Sequence, residues 1–436
     1  MSQTLPTRLA GLIPALRSGT LSLPAYLSQL EGQFAAREAE VQAFIPENGR
    51  FARLRQEAAA LAARYPDPAG RPPLYGVPVG VKDIFHVDGF VTQAGSRVPP
   101  DLLAGPESTA VSRLRAAGAL ILGKMVTTEF AYFGPGITRN PHNPNHTPGG
   151  SSSGSAAAVG AGLAPLTLGT QTVGSIIRPA AFCGVVGFKP SYGRISAAGV
   201  IPLSTSVDHI GFFCQDAAGA ALVAAVLAQE WQAAKGQNLA KPVLGVPEGP
   251  YLERTEAEGL AHFRQVQRIL TAAGYDLRPV AVMADFEEIC HRHNSLVAAE
   301  AAVTHRAWFA SFSGLYHPKT TELIERGQGI SPEQVEQYRA GRAALRQTLE
   351  TVRAEQGISL WIAPPALGPA PLSLESTGDP VMNLPWSHAG LPALNLPAGR
   401  AGNGLPLGLQ LIGGWGQDEA LLAWAQDIEA ILAGSG

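Results

Sequence analysis

Charge is scarce in this chain. Asp, Glu, Lys and Arg make up 15% of its 436 residues, while 46% are hydrophobic. That balance excludes a disordered, solvated segment and predicts a deeply buried body. The length suits two or three domains, or one large α/β unit. The net charge is −3 and no basic block occurs, so no electrostatic footprint for nucleic acid is present. Cysteine is rare. Cys183, Cys214 and Cys290 are odd in number and far apart, which excludes a disulfide framework and a zinc spacing and points to a reducing cytoplasm. No apolar run approaches the ~20 residues of a membrane span. The N-terminal stretch carries Arg8 and Pro14 within its apolar part, so no signal peptide is expected. Internal repeats and low-complexity tails are also lacking.

What the chain has in plenty is alternation. Residues 1–65 read as a helical arm, with Leu27, Leu30 and Phe34 at helix spacing. A Pro-rich linker (65–73) leads to a buried strand at 74–85. A helix is expected at 108–117 with Ser108 as its cap, a strand at 119–122, and a turn over 123–132. The segment 138–148 is too rich in Pro and Asn to be regular. Beyond residue 189, short strands and turns are expected at 193–200 and 208–213, and strands at 243–246, 360–363 and 407–412. Helices are expected at 217–228 and 257–273, the latter burying Leu260, Phe263, Val266 and Leu270. A last helix buries Leu421, Ala425, Ile428 and Leu432. Residues from about 286 to 352 are mostly helical and more polar, and are expected to cover a site. Strand and helix alternate as in α/β folds.

The chemistry concentrates in 149–189, a stretch of Gly, Ser and Ala almost free of charge. Glycine lets backbone N–H groups crowd a reacting group, and serine can supply a nucleophile. Ser151, Ser152, Ser153 and Ser155 sit in a Gly-flanked turn before an Ala-rich helix. They could cap that helix or bind an anion there. A Walker A loop is excluded because no Gly-Lys-Ser/Thr follows. Residues 150–154 match the G-x-S-x-G elbow, centred on Ser152, but a Pro/Asn loop precedes them instead of a strand. Ser175 follows an apolar run, with the N–H groups of Val173, Gly174 and Ser175 close to its hydroxyl, as an oxyanion requires. Lys82 ends a run that is apolar on both strand faces. A buried lysine can act as a general base toward serine; it could also pair with Asp83 or reach water. His142 and His146 lie in the Pro loop, His291 and His293 on different faces of one helix, and His388 near a Pro-rich turn. No metal is expected, and a Ser-His-Asp triad has no preferred histidine.

The stretch from Gly149 onward closely resembles the amidase signature, and Val81-Lys82-Asp83 resembles that family's lysine strand. The likeness extends through 78–83, Asn140-Pro141, Ala363-Pro364-Pro365, 390–393 and 404–410, and thins over 230–350. It implies a single amidase-like α/β domain over 1–436, built on one large mixed β-sheet flanked by helices. It also implies a Ser–cis-Ser–Lys triad. Lys82 matches the base, Ser151 the bridging serine after a cis peptide, and Ser175 the nucleophile. Backbone N–H groups of Thr172, Val173, Gly174 and Ser175 would hold the oxyanion. No cofactor or metal is implied. The implied reaction is hydrolysis of a small carboxylic amide to acid and ammonia or amine. The alternative is the amidase subunit of a tRNA-dependent amidotransferase, releasing ammonia from glutamine beside partner subunits. Direct nucleic-acid and membrane partners are not expected, and a homodimer stays open. A non-catalytic protein with a relic site is disfavoured by the intact Lys82, Ser151 and Ser175. The family turn differs here in three places: Gln171 stands for an acid, Val173 for a glycine, and Arg178 is shifted by one. An acyl pocket is expected from 125–132, the helical cover and 364–386.

Overall fold

A computed structural model describes residues 7–434; the first six residues of the expected helical arm lie outside that range. Three helices lead the chain, α1 (Leu9–Ser18), α2 (Leu23–Val41) and α3 (Arg50–Arg64). Then follow β1 (Pro78–Lys82), α4 (Thr109–Ala116), β2 (Leu120–Met125), α5 (Ser153–Gly160), β3 (Leu166–Gln171), α6 (Ile177–Cys183), β4 (Val186–Lys189), β5 (His209–Cys214) and α7 (Ala217–Leu227). The second half holds β6 (Leu244–Glu248), α8 (Ala257–Ala272), β7 (Leu277–Ala281), α9 (Phe286–Phe312), α10 (Pro318–Gln328), α11 (Pro332–Glu355), β8 (Leu360–Ala363), α12 (Leu384–Ala389), β9 (Ala393–Arg400), β10 (Pro406–Ile412) and α13 (Asp418–Ala433).

The strands form one ten-stranded mixed sheet in the order β2-β1-β3-β5-β4-β9-β10-β8-β6-β7. Pairing is parallel at β2-β1-β3 and at β8-β6-β7, and antiparallel between those two ends. β1 to β5 are buried at every position, which explains their continuous apolar or small-residue runs. α5 packs against α6 and β3 and is buried on nearly all sides, hence its Ser, Gly and Ala. A Cβ on Gly154 would come within 2.2 Å of the Ala43 carbonyl oxygen. Among the described residues, no helix is long and apolar enough to cross a membrane.

Several expected boundaries move. The strand at 74–85 shortens to Pro78–Lys82, and the one at 119–122 runs on to Met125, so the expected turn starts later. Ser108 precedes α4 but its hydroxyl makes no capping bond. Residues 193–200 form the expected turns but, in place of a strand, an isolated bridge from Val200 to Phe85. Leu260 is only partly buried, while Phe263, Val266 and Leu270 face the core. β4, β7, β9, α6 and α12 were not anticipated as separate elements. β7 is an edge strand with exposed positions, β9 carries Pro397, and α6 and α12 are one to two turns long.

Candidate active site

β1 delivers Lys82 into the interior. The strand lies between β2 and β3, and Lys82 has no solvent exposure. Its Nζ lies 2.8 Å from Ser151 Oγ and donates to Thr170 Oγ1 at 2.8 Å. Burial pulls its pKa down from 10.5 to about 7, against the opposing pull of the Asp208 carboxylate. The pairing with Asp83 that sequence left open does not occur. Asp83 bonds instead to Lys124 at 2.9 Å, and Lys124 also donates to the Phe85 carbonyl at 2.8 Å.

Ser151 is held by its own backbone. The Gly150–Ser151 peptide is cis. The Ser151 carbonyl accepts from Thr128 N and from Thr127 Oγ1, each at 3.2 Å. The preceding Gly150 carbonyl accepts from Arg178 Nη2 at 2.7 Å. The shifted Arg178 is therefore a brace for the serine turn, and its guanidinium also reaches Thr377 Oγ1 at 3.2 Å. The neighbouring serines are occupied elsewhere. Ser152 Oγ donates to the Thr170 carbonyl at 3.2 Å, Ser153 Oγ to the Gly149 carbonyl at 2.8 Å and Ser155 Oγ to the Leu168 carbonyl at 2.8 Å. Ser152 stands at the N-cap of α5 without a side-chain capping bond. Neither simple capping nor the elbow reading describes this turn.

Ser175 lies in the turn between β3 and α6 and keeps 7% exposure. Ser151 and Ser175 line one small chamber of about 10 Å³, together with Thr172, Val173 and Arg178, about the room of one water molecule. Among the described residues, the amides of Thr172, Val173, Gly174 and Ser175 have no protein acceptor. Gln171 fixes this turn. Its Oε1 accepts from Ile176 N at 2.8 Å and Ile177 N at 2.9 Å. Its Nε2 donates to Ser387 Oγ at 2.9 Å, and Ser387 Oγ donates to the Val173 carbonyl at 2.6 Å. Val173 is not among the residues of positive φ, so the turn forms without the glycine found in the family pattern. Gly174 has a separate reason: a Cβ there would sit 2.3 Å from Asn383 Oδ1.

Two larger cavities adjoin the chamber. An outer one of about 310 Å³ shares Tyr132, Phe133, Val173 and Pro380 with it. Its further walls come from α9, through Glu287, Cys290 and Asn294, from Arg326 of α10 and from Asp379. An inner one of about 160 Å³ shares Ala131, Thr172 and Leu203 with the chamber and also includes Thr170 and Asp208. Sequence reading missed the loop before β5 as a wall, and missed Thr170 and Asp208. The alternation of Thr170, near the end of β3, with Thr172, just beyond it, was the available signal. Asp208 accepts from Thr172 Oγ1 at 2.6 Å, and withdrawal from water pushes its carboxyl up to about 6.

The histidines take no part. His142 and His146 bond to the carbonyls of Cys183 and Ala370 at 2.9 and 2.8 Å. His293 meets His388 at 3.3 Å away from the chamber. Among the described residues no cluster could hold a metal ion.

Against known proteins, the family model described as Amidase matches residues 39–422. The chain is 32% identical to one of the subunits of glutamyl-tRNA(Gln) amidotransferase from Synechococcus sp. (strain RCC307), over 95% of each chain. Among solved structures it resembles one described as an amidase, with 32% identity, a TM-score of 0.86, and 97% of this chain and 99% of that one covered. It also resembles the native peptide amidase from Stenotrophomonas maltophilia, with 25% identity, a TM-score of 0.80, and 97% and 96% covered.

Proposed function

Because this chain belongs to the amidase family, whose members hydrolyse C–N bonds of carboxylic amides, we propose that Ser175 is its nucleophile, Ser151 its proton bridge and Lys82 its general base. The observation that carries this reading is the 2.8 Å contact between a buried lysine amine and Ser151, in a chamber that Ser175 also lines. At neutral pH a large share of Lys82 is uncharged. Ser175 Oγ bonds to the amide carbon as its proton passes to Ser151 Oγ, whose own proton passes to Lys82 Nζ. The oxyanion is met by the free amides of Thr172, Val173, Gly174 and Ser175. As the C–N bond breaks, Ser151 protonates the leaving nitrogen and is reprotonated by Lys82. Water then attacks the acyl-enzyme, giving its proton to the same relay, and Ser175 leaves with its hydrogen restored. Thr170, which accepts from Lys82, orients the amine's lone pair toward Ser151.

The three thiols are unpaired, which supports a reducing cytoplasm. A second reading is favoured by the likeness to the Synechococcus amidotransferase: this chain would release ammonia from glutamine beside partner subunits. The test is the purified chain alone, given a panel of amides and a fluorophosphonate probe. Amine or ammonia release, with labelling that disappears in Ser175→Ala, is expected. Turnover only with added partners would select the second reading, and labelling that persists in Ser175→Ala would reject Ser175.

A further inference from the structure

The chamber around Ser151 and Ser175 is only water-sized, and it shares wall residues with a larger cavity on each of two sides. The two sides differ in chemistry. The outer cavity carries Arg254, Glu287, Arg326 and Asp379. The inner one is walled mainly by Ile84, Val200, Ile201, Leu203 and Ile210. Ile201 and Ile210 are 5% and 2% exposed, so the wall is packed from behind. Asp208 is the charged group of the inner cavity, and its oxygens are engaged. Oδ1 accepts from Thr172 Oγ1 at 2.6 Å, and Oδ2 accepts from Leu203 N at 2.8 Å and Ser204 N at 2.9 Å.

The proton relay decides which end of the substrate faces which cavity. The leaving nitrogen must sit on the side that returns the proton, the side of Ser151 and Lys82. Thr170, bonded to Lys82, lines the inner cavity, and so does Ile84, two residues beyond Lys82. Both cavities touch the oxyanion turn, the inner one at Thr172 and the outer one at Val173, but the outer one has neither Thr170 nor Ile84 in its wall, so the inner one is the cavity beside Lys82. An aliphatic cavity of about 150 Å³ holds a benzene ring, and the inner space measures about 160 Å³.

We propose that the inner cavity is the leaving-amine subsite and that the substrates are N-substituted amides whose amine carries a compact, uncharged apolar group, such as benzyl or isobutyl. This rests on the Lys82–Ser151–Ser175 relay. Burial of that group away from the reacting bond supplies binding energy that a primary amide lacks.

The test holds the acyl group constant and varies the amine: propionamide, N-isobutylpropionamide, N-benzylpropionamide and the cationic N-(2-aminoethyl)propionamide. The wild-type chain is expected to favour the isobutyl or benzyl amide over propionamide by about tenfold or more in kcat/KM, with the cationic amide poorest. Phenylacetamide, with its ring on the acyl side, gains nothing. Ile201→Trp or Ile210→Trp, each filling the cavity, should collapse the benzyl-to-primary ratio toward one. Ile201→Ala should move the preference to a larger amine. A merely structural effect would lower all substrates together and leave the ratio intact. Preference for propionamide, for phenylacetamide or for the cationic amine, or a ratio unmoved in every variant, overturns the proposal. If any of these occurs while the probe still labels Ser175, the relay stands and the subsite alone falls. Loss of labelling at Ser175 in the wild type takes both down.

Discussion

An amine stripped of water holds its proton weakly, and among the described residues no acid lies within ion-pair distance of Lys82. The neutral form is the base. With the pKa lowered to about 7, kcat/KM is expected to climb about tenfold per pH unit below that value and to level off above it. A profile flat from about pH 5 to pH 9 would remove a lysine from the base's role. The same burial acts on stability. Unfolded lysine keeps its proton up to 10.5, so from about pH 7 to 10.5 the unfolded state binds more protons and stability rises with pH. Lys82→Met should abolish turnover yet raise the urea midpoint, most at and below pH 7, with the gain vanishing as pH rises through 10.5. The relieved penalty is several kcal/mol, against about 1 kcal/mol for each hydroxyl that loses its partner. Residue chemistry of this kind is only half legible in sequence. Lys82 stands out because its strand is apolar, but Lys124 and Lys189 are buried in strands as well. Lys124 is matched by Asp83 at 2.9 Å, and Lys189 donates to backbone carbonyls. Which lysine touches a reactive hydroxyl depends on a contact 69 residues away, which no local pattern encodes.

At the scale of the element, the turn from β3 into α6 carries most of the proposed chemistry, and a neutral side chain holds it. Gln171 has no exposure and satisfies two amides at the start of α6 while bonding Ser387, which in turn holds the Val173 carbonyl. Leucine at 171 would fill the space but leave two buried N–H groups without acceptors, each costing about 1–3 kcal/mol. Gln171→Leu is therefore expected to lower kcat by more than about tenfold, since a drifting oxyanion turn affects the transition state more than binding. Ser387→Ala, which frees the Val173 carbonyl and the Gln171 Nε2 but leaves the Ile176 and Ile177 amides bonded to Gln171, should give a smaller loss of the same kind. Steady-state kinetics reading kcat and KM separately checks both; an equal rise in KM with kcat intact would mean that the turn shapes binding instead. Sequence flagged Gln171 and Val173 as departures but not their compensation, because Ser387 arrives from α12, an element only six residues long. Strands such as β8 and β10 were legible because their runs are almost wholly apolar. β7 was not, since Arg278 and Pro279 on a half-exposed edge blur the pattern that interior strands keep.

For the molecule as a whole, the question is what ties the polar helices α9 to α11 to the sheet beneath them. Glu300 of α9 lies at that junction. Its carboxylate accepts from Ser204 Oγ at 2.6 Å and Ser206 N at 2.9 Å, and from Arg339 Nη2 of α11 at 2.7 Å. One side chain thus joins two helices to the loop bearing Leu203 and Asp208, the wall of the inner cavity. These partners lie 96, 94 and 39 residues away in sequence, so helix periodicity predicted the helices and was silent on their anchor. Burial alone would raise the Glu300 pKa; hydrogen bonds from Ser204, Ser206 and Arg339 outweigh it and leave it lowered from 4.5. A lowered carboxylate stabilises the fold fully above the unfolded value, and that contribution is lost as pH falls through the folded one. Glu300→Ala should cost about 2 kcal/mol at pH 7, Arg339 being partly exposed and its share screened. The gap to wild type should narrow as pH drops below 4.5. Hydrogen exchange should quicken in α9, α11 and the 203–208 loop together, whereas β1 and β3 keep their protection. Faster exchange confined to α9 would mean that Glu300 secures its own helix and not the assembly.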